Sequence, residues 1–424
     1  MSTALLTDKY EFTMLSALIE AGRADCPSTF ELFARRLPKG RRFGLLAGMG
    51  RLLDALEEFT FGPEELDELS STRAITPAAV EYLTNWRFTG DIDAYREGEN
   101  YWPYSPVLTV TAPLGDAILI ETLALSIFNH DTAIASAAAR MALAAKDRPI
   151  IEMGSRRTHE SAALAAARAA WIAGFTSTSN VEAGRQFGIP TAGTTAHSFM
   201  LAFPSEKDAF AAQIASFGLD TTLLVDTFDI EQGIRTAIEV AGPGLAGIRI
   251  DSGDPAIESR KARVLLDSLG ATNTRITVTS DLDEYLISAL SDAPINSFGV
   301  GTRLVTGSGH PTASMVYKLV AIADEPGGKQ REVAKKSESK ASQGGRKTAY
   351  RYADGSEAYR IDGVVPEGAR PLQVRYVSGG EIVERPSANE IREYAAQTLA
   401  ALPEKTKLIG DGEPLFTATR EDRS

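Results

Sequence analysis

Between Arg148 and Arg303 the chain repeats one pattern: a short apolar run ends in polar or charged residues, and a stretch with helical periodicity follows. The runs are Pro149–Glu152, Gly174–Thr178, Ile189–Gly193, Leu223–Asp226, Ile248–Asp251, Ile276–Thr279 and Ser297–Gly301. Short apolar runs alternating with helices predict parallel βα units, and so an α/β fold with an irregular barrel. The polar ends read Gly154-Ser155-Arg156-Arg157, Thr194-Thr195-Ala196-His197, Asp226, Asp251-Ser252-Gly253-Asp254, Ser280-Asp281 and Gly299-Val300-Gly301-Thr302-Arg303. A parallel barrel gathers such ends at its C-terminal mouth, where barrel enzymes place their chemistry.

The flanks have other rhythms. Helical patterns at Glu11–Ala21, Gly44–Phe59, Pro63–Leu69 and Pro77–Leu83 mix with strand-like runs at Thr29–Phe33 and Val107–Thr111, which predicts an α+β domain over residues 1–130. A long helix over Ile118–Arg140 leads into the barrel, assigned to residues 131–316. Residues 317–424 form a β-rich extension expected to pack with the N-terminal domain, with strands at Lys318–Ile322, Tyr350–Ile361 and Leu372–Ser378 and a helix over 388–401. Inside it, Lys329 to Arg351 holds eight basic residues (Lys329, Arg331, Lys335, Lys336, Lys340, Arg346, Lys347, Arg351) against Glu332 and Glu338. That run is either a solvated loop or a lid bringing cations to a polyphosphate.

Composition narrows the class. At 424 residues the chain suits two or three domains. No apolar stretch is long enough to span a bilayer, and the N-terminus lacks a basic leader followed by an apolar core. Cys26 is the only cysteine, which excludes an intramolecular disulfide and a cysteine-based metal site. A cytoplasmic protein without a membrane partner is expected. The net charge of −12 argues against nucleic-acid binding. Against that acidic background, Arg156, Arg157, Arg249 and Arg303 stand out as local anion sites.

Each strand end has a plain reading and a chemical one. His197 is a structural or capping histidine, or a group that takes a proton or a phosphoryl near neutral pH. Asp251 and Asp254 are placed to meet Mg²⁺ on substrate phosphates, to hold ribose hydroxyls or to steady a cationic transition state. Asp254 is equally the N-cap of the helix that begins at Pro255. Gly299, Gly301 and the helix start at Thr302 can turn backbone N–H groups to an anion. Arg156 and Arg157 can clamp a pyrophosphate, or pair with Glu152 or Glu160. Thr7 or Asp8 caps the first helix, and periodicity alone does not mark Tyr10.

Six motifs stand in one order: Thr7-Asp8-x-Tyr10-x-x-Thr13-Met14, Glu31 to Pro38, Glu152 to Arg157, Gly193 to Ser198, Arg249 to Asp254 and Phe298 to Thr302. In that register the chain resembles the nicotinate phosphoribosyltransferase family from end to end. The resemblance implies a type II phosphoribosyltransferase fold: an α/β barrel, an N-terminal α+β domain and a C-terminal extension. It implies conversion of nicotinate and 5-phosphoribosyl 1-pyrophosphate to nicotinate mononucleotide and pyrophosphate in NAD salvage, with Mg²⁺ and with ATP as co-substrate. His197 would be phosphorylated by ATP. Tyr10, Thr194 and Arg249 would surround nicotinate, with Arg249 on its carboxylate and Ser198 nearby, and Thr302 would touch the ribose phosphate. Asp251 is the candidate carboxylate for the ribosyl cation. A homodimer is implied, with Tyr10 crossing from the neighbouring subunit. Met153, Pro255 and Ser280 depart from the family pattern. Ser280 replaces a frequent glycine, which bears on its backbone contact to phosphate.

The alternatives are a nicotinamide phosphoribosyltransferase, a quinolinate-using relative, a silent nucleotide-binding partner and an aldolase-type barrel. Thr194, Ser198 and Arg249 favour an acid over an amide. The quinolinate relative is shorter and has no use for a phosphorylatable histidine. No lysine ends a barrel strand, which removes the Schiff-base chemistry of an aldolase.

Overall fold

The computed structural model describes residues 2–334 and 343–421. It contains two compact units, Met1–Ser136 with His310–Ser424, and Ala137–Gly309.

The second unit is built on six parallel strands. In space they run Ser177–Thr178, Ile150–Glu152, Ser297–Val300, Arg275–Thr279, Gly247–Ile250, Thr222–Leu224. The first of these strands in the chain pairs with the last, Phe298 opposite Ile150, so the sheet has curled back on itself. Thr191 adds one parallel bridge beside Thr178. Among the described residues no ladder joins that segment to Thr222–Leu224, so the sheet is a curled half-barrel rather than a closed ring. The run Ile189–Gly193 was expected as a strand and gives only this bridge. Pro190 has no N–H for a ladder, although its carbonyl accepts the Thr178 N–H at 3.0 Å.

Polar residues after the strands start the helices that follow. Asn180, Ser205, Asp229, Asp254 and Asp283 each accept backbone N–H bonds at a helix N-terminus. Helix Ile230–Ala241 turns Ile234, Ala237 and Ile238 inward, at the three- and four-residue spacing that keeps them on one face.

The first unit holds a seven-stranded antiparallel sheet. Its order is Arg331–Glu332, Met315–Ile322, Pro27–Ala34, Leu108–Pro113, Asp91–Tyr95, Gln373–Ser378, Glu381–Ile382. Strands from both ends of the chain are therefore neighbours in one sheet. Phe12, Phe59, Phe61 and Trp86 pack edge to face or tilted in its core. The expected long helix is two helices, Leu114–Leu119 and Glu121–Ala145. Glu11, fully buried, accepts the Thr122 N–H at 2.8 Å and the Thr122 hydroxyl at 2.5 Å, and so caps the second helix from outside it.

Where it is described, much of the basic run after Lys329 is paired with carboxylates. Arg331 pairs with Asp324, Arg346 with Asp93, Lys347 with Glu31, and Arg351 with both Glu99 and Glu357. Lys347 and Arg351 are buried, each next to a buried carboxylate far away in sequence. Lys335, Lys336 and Lys340 lie outside the described residues. Among the described residues, no helix is long and apolar enough to cross a membrane.

Candidate active site

The strand ends of the second unit meet in one hydrogen-bonded array. It starts at His197, the first residue of the short helix His197–Leu201, whose Nε2 lies 3.2 Å from Asp226 Oδ1. The Asp226 carboxylate can only accept, so Nε2 carries the proton. Its other oxygen accepts the Asp251 N–H at 2.7 Å and the Ser252 hydroxyl at 2.8 Å. The Asp226 side chain is fully buried and that of His197 is 43 % exposed, so a fixed anion holds an imidazole that a ligand can reach.

Asp251 continues the array. Its Oδ1 accepts the Thr279 hydroxyl, and its Oδ2 lies 3.2 Å from Arg249 Nη2. Arg249 donates from Nε to Thr279 Oγ1 at 2.8 Å, and from Nη1 to Thr194 Oγ1 at 3.1 Å and the Thr195 carbonyl at 3.4 Å. The guanidinium therefore ties two strand ends to the Thr194–Thr195 segment. One Nη2 hydrogen stays uncommitted, and the 3.4 Å contact is the weakest of the set.

Other candidate residues lie beside this array. Ser198 is exposed on the same short helix, and Ser280 is half-buried just past Thr279. The next residue, Asp281, has φ +28°, a conformation unusual for a side chain other than glycine. Gly299 sits in register opposite Thr279. A Cβ there would press into the Thr279 methyl and come 2.7 Å from Met153 Sδ, so packing alone already requires glycine at this position. Gly301 precedes the four-residue helix Thr302–Val305, with Thr302 half-buried at its start.

Arg156, Arg157 and Arg303 are exposed and form no ion pair among the described residues. Glu152, the expected partner of the arginine pair, is buried and accepts instead from the Gly154 N–H and the Thr178 hydroxyl. Burial holds its carboxyl above the usual range, while those two donors pull it back. Glu160 faces His159 at 3.6 Å. Asp254 caps its helix: Oδ1 accepts the Ala256 and Ile257 N–H groups at 2.9 and 3.0 Å. Among the described residues, no three His, Cys, Asp or Glu side chains converge as a metal site.

Tyr10 belongs to the first unit, 44 % exposed on helix Lys9–Glu20. Partial burial and the neighbouring Glu121 carboxylate raise its phenol above the usual range. Sequence reasoning named Asp226 only as a strand end and gave Thr279 no role. Both signals were visible, a polar residue closing an apolar run, but nothing local marked their partners.

Two family models match in tandem. One is described as the nicotinate phosphoribosyltransferase (NAPRTase) N-terminal domain and covers residues 5–129, and the other as the nicotinate phosphoribosyltransferase (NAPRTase) family and covers residues 149–361. The chain belongs to the nicotinate phosphoribosyltransferase family. It is 50 % identical over 426 residues to nicotinate phosphoribosyltransferase pncB1 of Mycobacterium tuberculosis, across 97 % of this chain and 93 % of that one. The Bacillus subtilis nicotinate phosphoribosyltransferase is 40 % identical over 361 residues, across 82 % of this chain and 73 % of its own. Among solved structures, human nicotinic acid phosphoribosyltransferase superposes with a TM-score of 0.82 at 25 % identity, over 97 % of each chain. The curled parallel half-barrel is thus the family's fold.

Proposed function

We propose that the chain is a cytoplasmic enzyme of NAD salvage. It joins nicotinate to 5-phosphoribosyl 1-pyrophosphate, giving nicotinate mononucleotide and pyrophosphate, and couples the reaction to ATP hydrolysis through a phosphohistidine at His197. The observation that carries this reading is the unbroken array from His197 through Asp226, Asp251 and Thr279 to Arg249 and Thr194. It puts a nucleophile held by a buried anion and a cation suited to a carboxylate on one scaffold.

Nicotinate offers a carboxylate and a ring nitrogen. Its carboxylate takes the uncommitted Arg249 hydrogen and the Thr194 hydroxyl, displacing the long contact to the Thr195 carbonyl, while Ser198 borders the ring. Tyr10, from a second copy of the chain in a homodimer, covers the ring. Gly299, Gly301, Thr302 and Ser280 receive the ribose phosphate, and the unpaired Arg156 and Arg157 receive the pyrophosphate. Asp251 faces the ribosyl carbon as positive charge builds there. The ring nitrogen then bonds to that carbon as the C–O bond to pyrophosphate breaks.

His197 attacks ATP through Nδ1, because Asp226 occupies Nε2. The new N–P bond forms as the bond to ADP breaks, and Asp226 balances the charge on the imidazole. Mg²⁺ would neutralise the phosphate oxygens of both substrates. Among the described residues no three carboxylates or histidines converge to hold it. Asp251 would be the carboxylate to hold it, and Asp254 has only Oδ2 outside its cap.

The test is product formation from nicotinate and nicotinamide offered separately, with and without ATP. Product from nicotinate only, raised by ATP with matching ADP release, is expected. Product from nicotinamide would overturn the role of Arg249. His197→Ala should abolish ADP release and leave slow ATP-independent transfer. Equal loss of both would remove the coupling.

A further inference from the structure

A single hydroxyl joins the two charged groups of the array. Thr279 closes strand Arg275–Thr279 and is buried. Its Oγ1 accepts from Arg249 Nε at 2.8 Å and donates to Asp251 Oδ1. The partners fix the direction of both bonds. A guanidinium nitrogen can only donate, and an ionised carboxylate can only accept. The one hydroxyl proton therefore goes to Asp251, and a lone pair is left for Arg249.

Side chains alternate along a strand, so Thr277 and Thr279 share a face. Thr277 hydrogen-bonds Ser297 Oγ at 2.8 Å, while Thr279, one alternation further on, meets Arg249. The Thr279 methyl has a separate place: it fills the space that a Cβ on Gly299 would need. Hydroxyl and methyl can therefore be removed one at a time.

Arg249 has little else to hold its inner nitrogen. Its side chain is only 13 % exposed. Its other contacts are the Thr194 hydroxyl at 3.1 Å, the Thr195 carbonyl at 3.4 Å and Asp251 Oδ2 at 3.2 Å. All three lie on the Nη ends, so among the described residues Thr279 alone holds Nε. Without that bond a half-hidden N–H has no acceptor, and the guanidinium plane is free to turn.

We infer that Thr279 is a positioning residue for nicotinate: its hydroxyl fixes the plane in which Arg249 meets the substrate carboxylate. The inference rests on the placing of nicotinate on Arg249 proposed above. There the carboxylate bridges one Nη2 hydrogen and the Thr194 hydroxyl, a span that holds only while the plane is set. Losing the bond should raise KM for nicotinate about tenfold. The fall in kcat should be smaller, because Asp251 keeps its contact to Arg249 Nη2.

The test is KM and kcat in Thr279→Val, which keeps the methyl, and Thr279→Ser, which keeps the hydroxyl, each alone and combined with Arg249→Lys. Thr279→Val should raise KM for nicotinate about tenfold, and Thr279→Ser should restore most of it. Lysine has no guanidinium plane to set, so Thr279→Val should add little in the Arg249→Lys background. An unchanged KM in Thr279→Val, an equal loss in Thr279→Ser, or fully additive losses in the double variant overturns the inference. So does a matching rise in KM for 5-phosphoribosyl 1-pyrophosphate, which would mean that the whole mouth is disturbed. If Thr279→Val does not fold, the step from Thr279→Ser to Thr279→Ala removes the same hydroxyl and reads the same KM. An unchanged KM in Arg249→Lys overturns the placing of nicotinate on Arg249, a different failure from an Arg249-dependent KM that Thr279 does not move.

Discussion

Asp226→Asn separates charge from shape at the centre of the array. The carboxylate does two jobs: Oδ2 accepts the Asp251 N–H at 2.7 Å and the Ser252 hydroxyl at 2.8 Å, and Oδ1 faces His197 Nε2 at 3.2 Å. Asparagine has one accepting and one donating end. If the amide nitrogen faced the Asp251 N–H, two donors would meet in a buried site at a cost of about 1–3 kcal/mol. The amide oxygen therefore takes the Oδ2 position, and the amide nitrogen donates to His197 Nε2. The ring proton must then sit on Nδ1, the atom proposed to attack ATP. The same substitution behind the histidine of a serine-protease triad imposes the wrong tautomer and costs about 10⁴ in kcat. The exposed His197 ring is less tightly held, so a loss of about 10²–10⁴ in ADP release is expected. Thermal unfolding should shift only slightly, because both Oδ2 partners keep an acceptor. Acid-labile phosphate on the protein and ADP release would be measured together, with ATP-independent nicotinate mononucleotide formation as reference. ADP release within about threefold of wild type, a change of well under 1 kcal/mol, would refute the tautomer argument. Equal loss of the ATP-independent reaction would show that Asp226 holds the mouth together rather than sets a proton.

Three further outcomes follow from other contacts. Arg249→Lys keeps the charge but cannot reach Thr279, Thr194 and Asp251 together, so KM for nicotinate should rise about 10–100-fold, the worth of a lost bidentate contact; an unchanged KM would take Arg249 off the substrate. Gly299→Ala should lower stability by about 1–3 kcal/mol in urea unfolding by overpacking Thr279 and Met153, and should loosen Arg249 through Thr279; no loss would mean that the strand end yields easily. Burial raises the Glu11 carboxyl to about 7, above its ordinary 4.5, so its protonated form favours the fold. Its share of stability is complete below pH 4.5, falls as the pH rises to about 7 and is flat beyond, a loss of up to about 3 kcal/mol. Glu11→Gln should remove that slope between pH 4.5 and about 7, and an equal slope in the variant would assign it to other groups.

The barrel was legible because its signals are local. An apolar run followed by a capped helix needs no knowledge of the rest of the chain, and Asn180, Asp229, Asp254 and Asp283 are caps that sequence alone can propose. The run at Ile189–Gly193 misled because hydropathy does not register the donor that Pro190 lacks. Lys347 and Arg351 were illegible for the opposite reason: they look like surface charge until Glu31 and Glu99, 316 and 252 positions away, bury with them.

The same distinction runs through the site. His197, Arg249 and Asp251 announce themselves by residue type at a strand end. What each one does depends on groups the chain brings from elsewhere: Asp226 lies 29 positions beyond His197, and Thr279 lies 28 beyond Asp251. Residue type gives His197 two nitrogens, and only the position of Asp226 decides which of them is left free for the proposed attack on ATP.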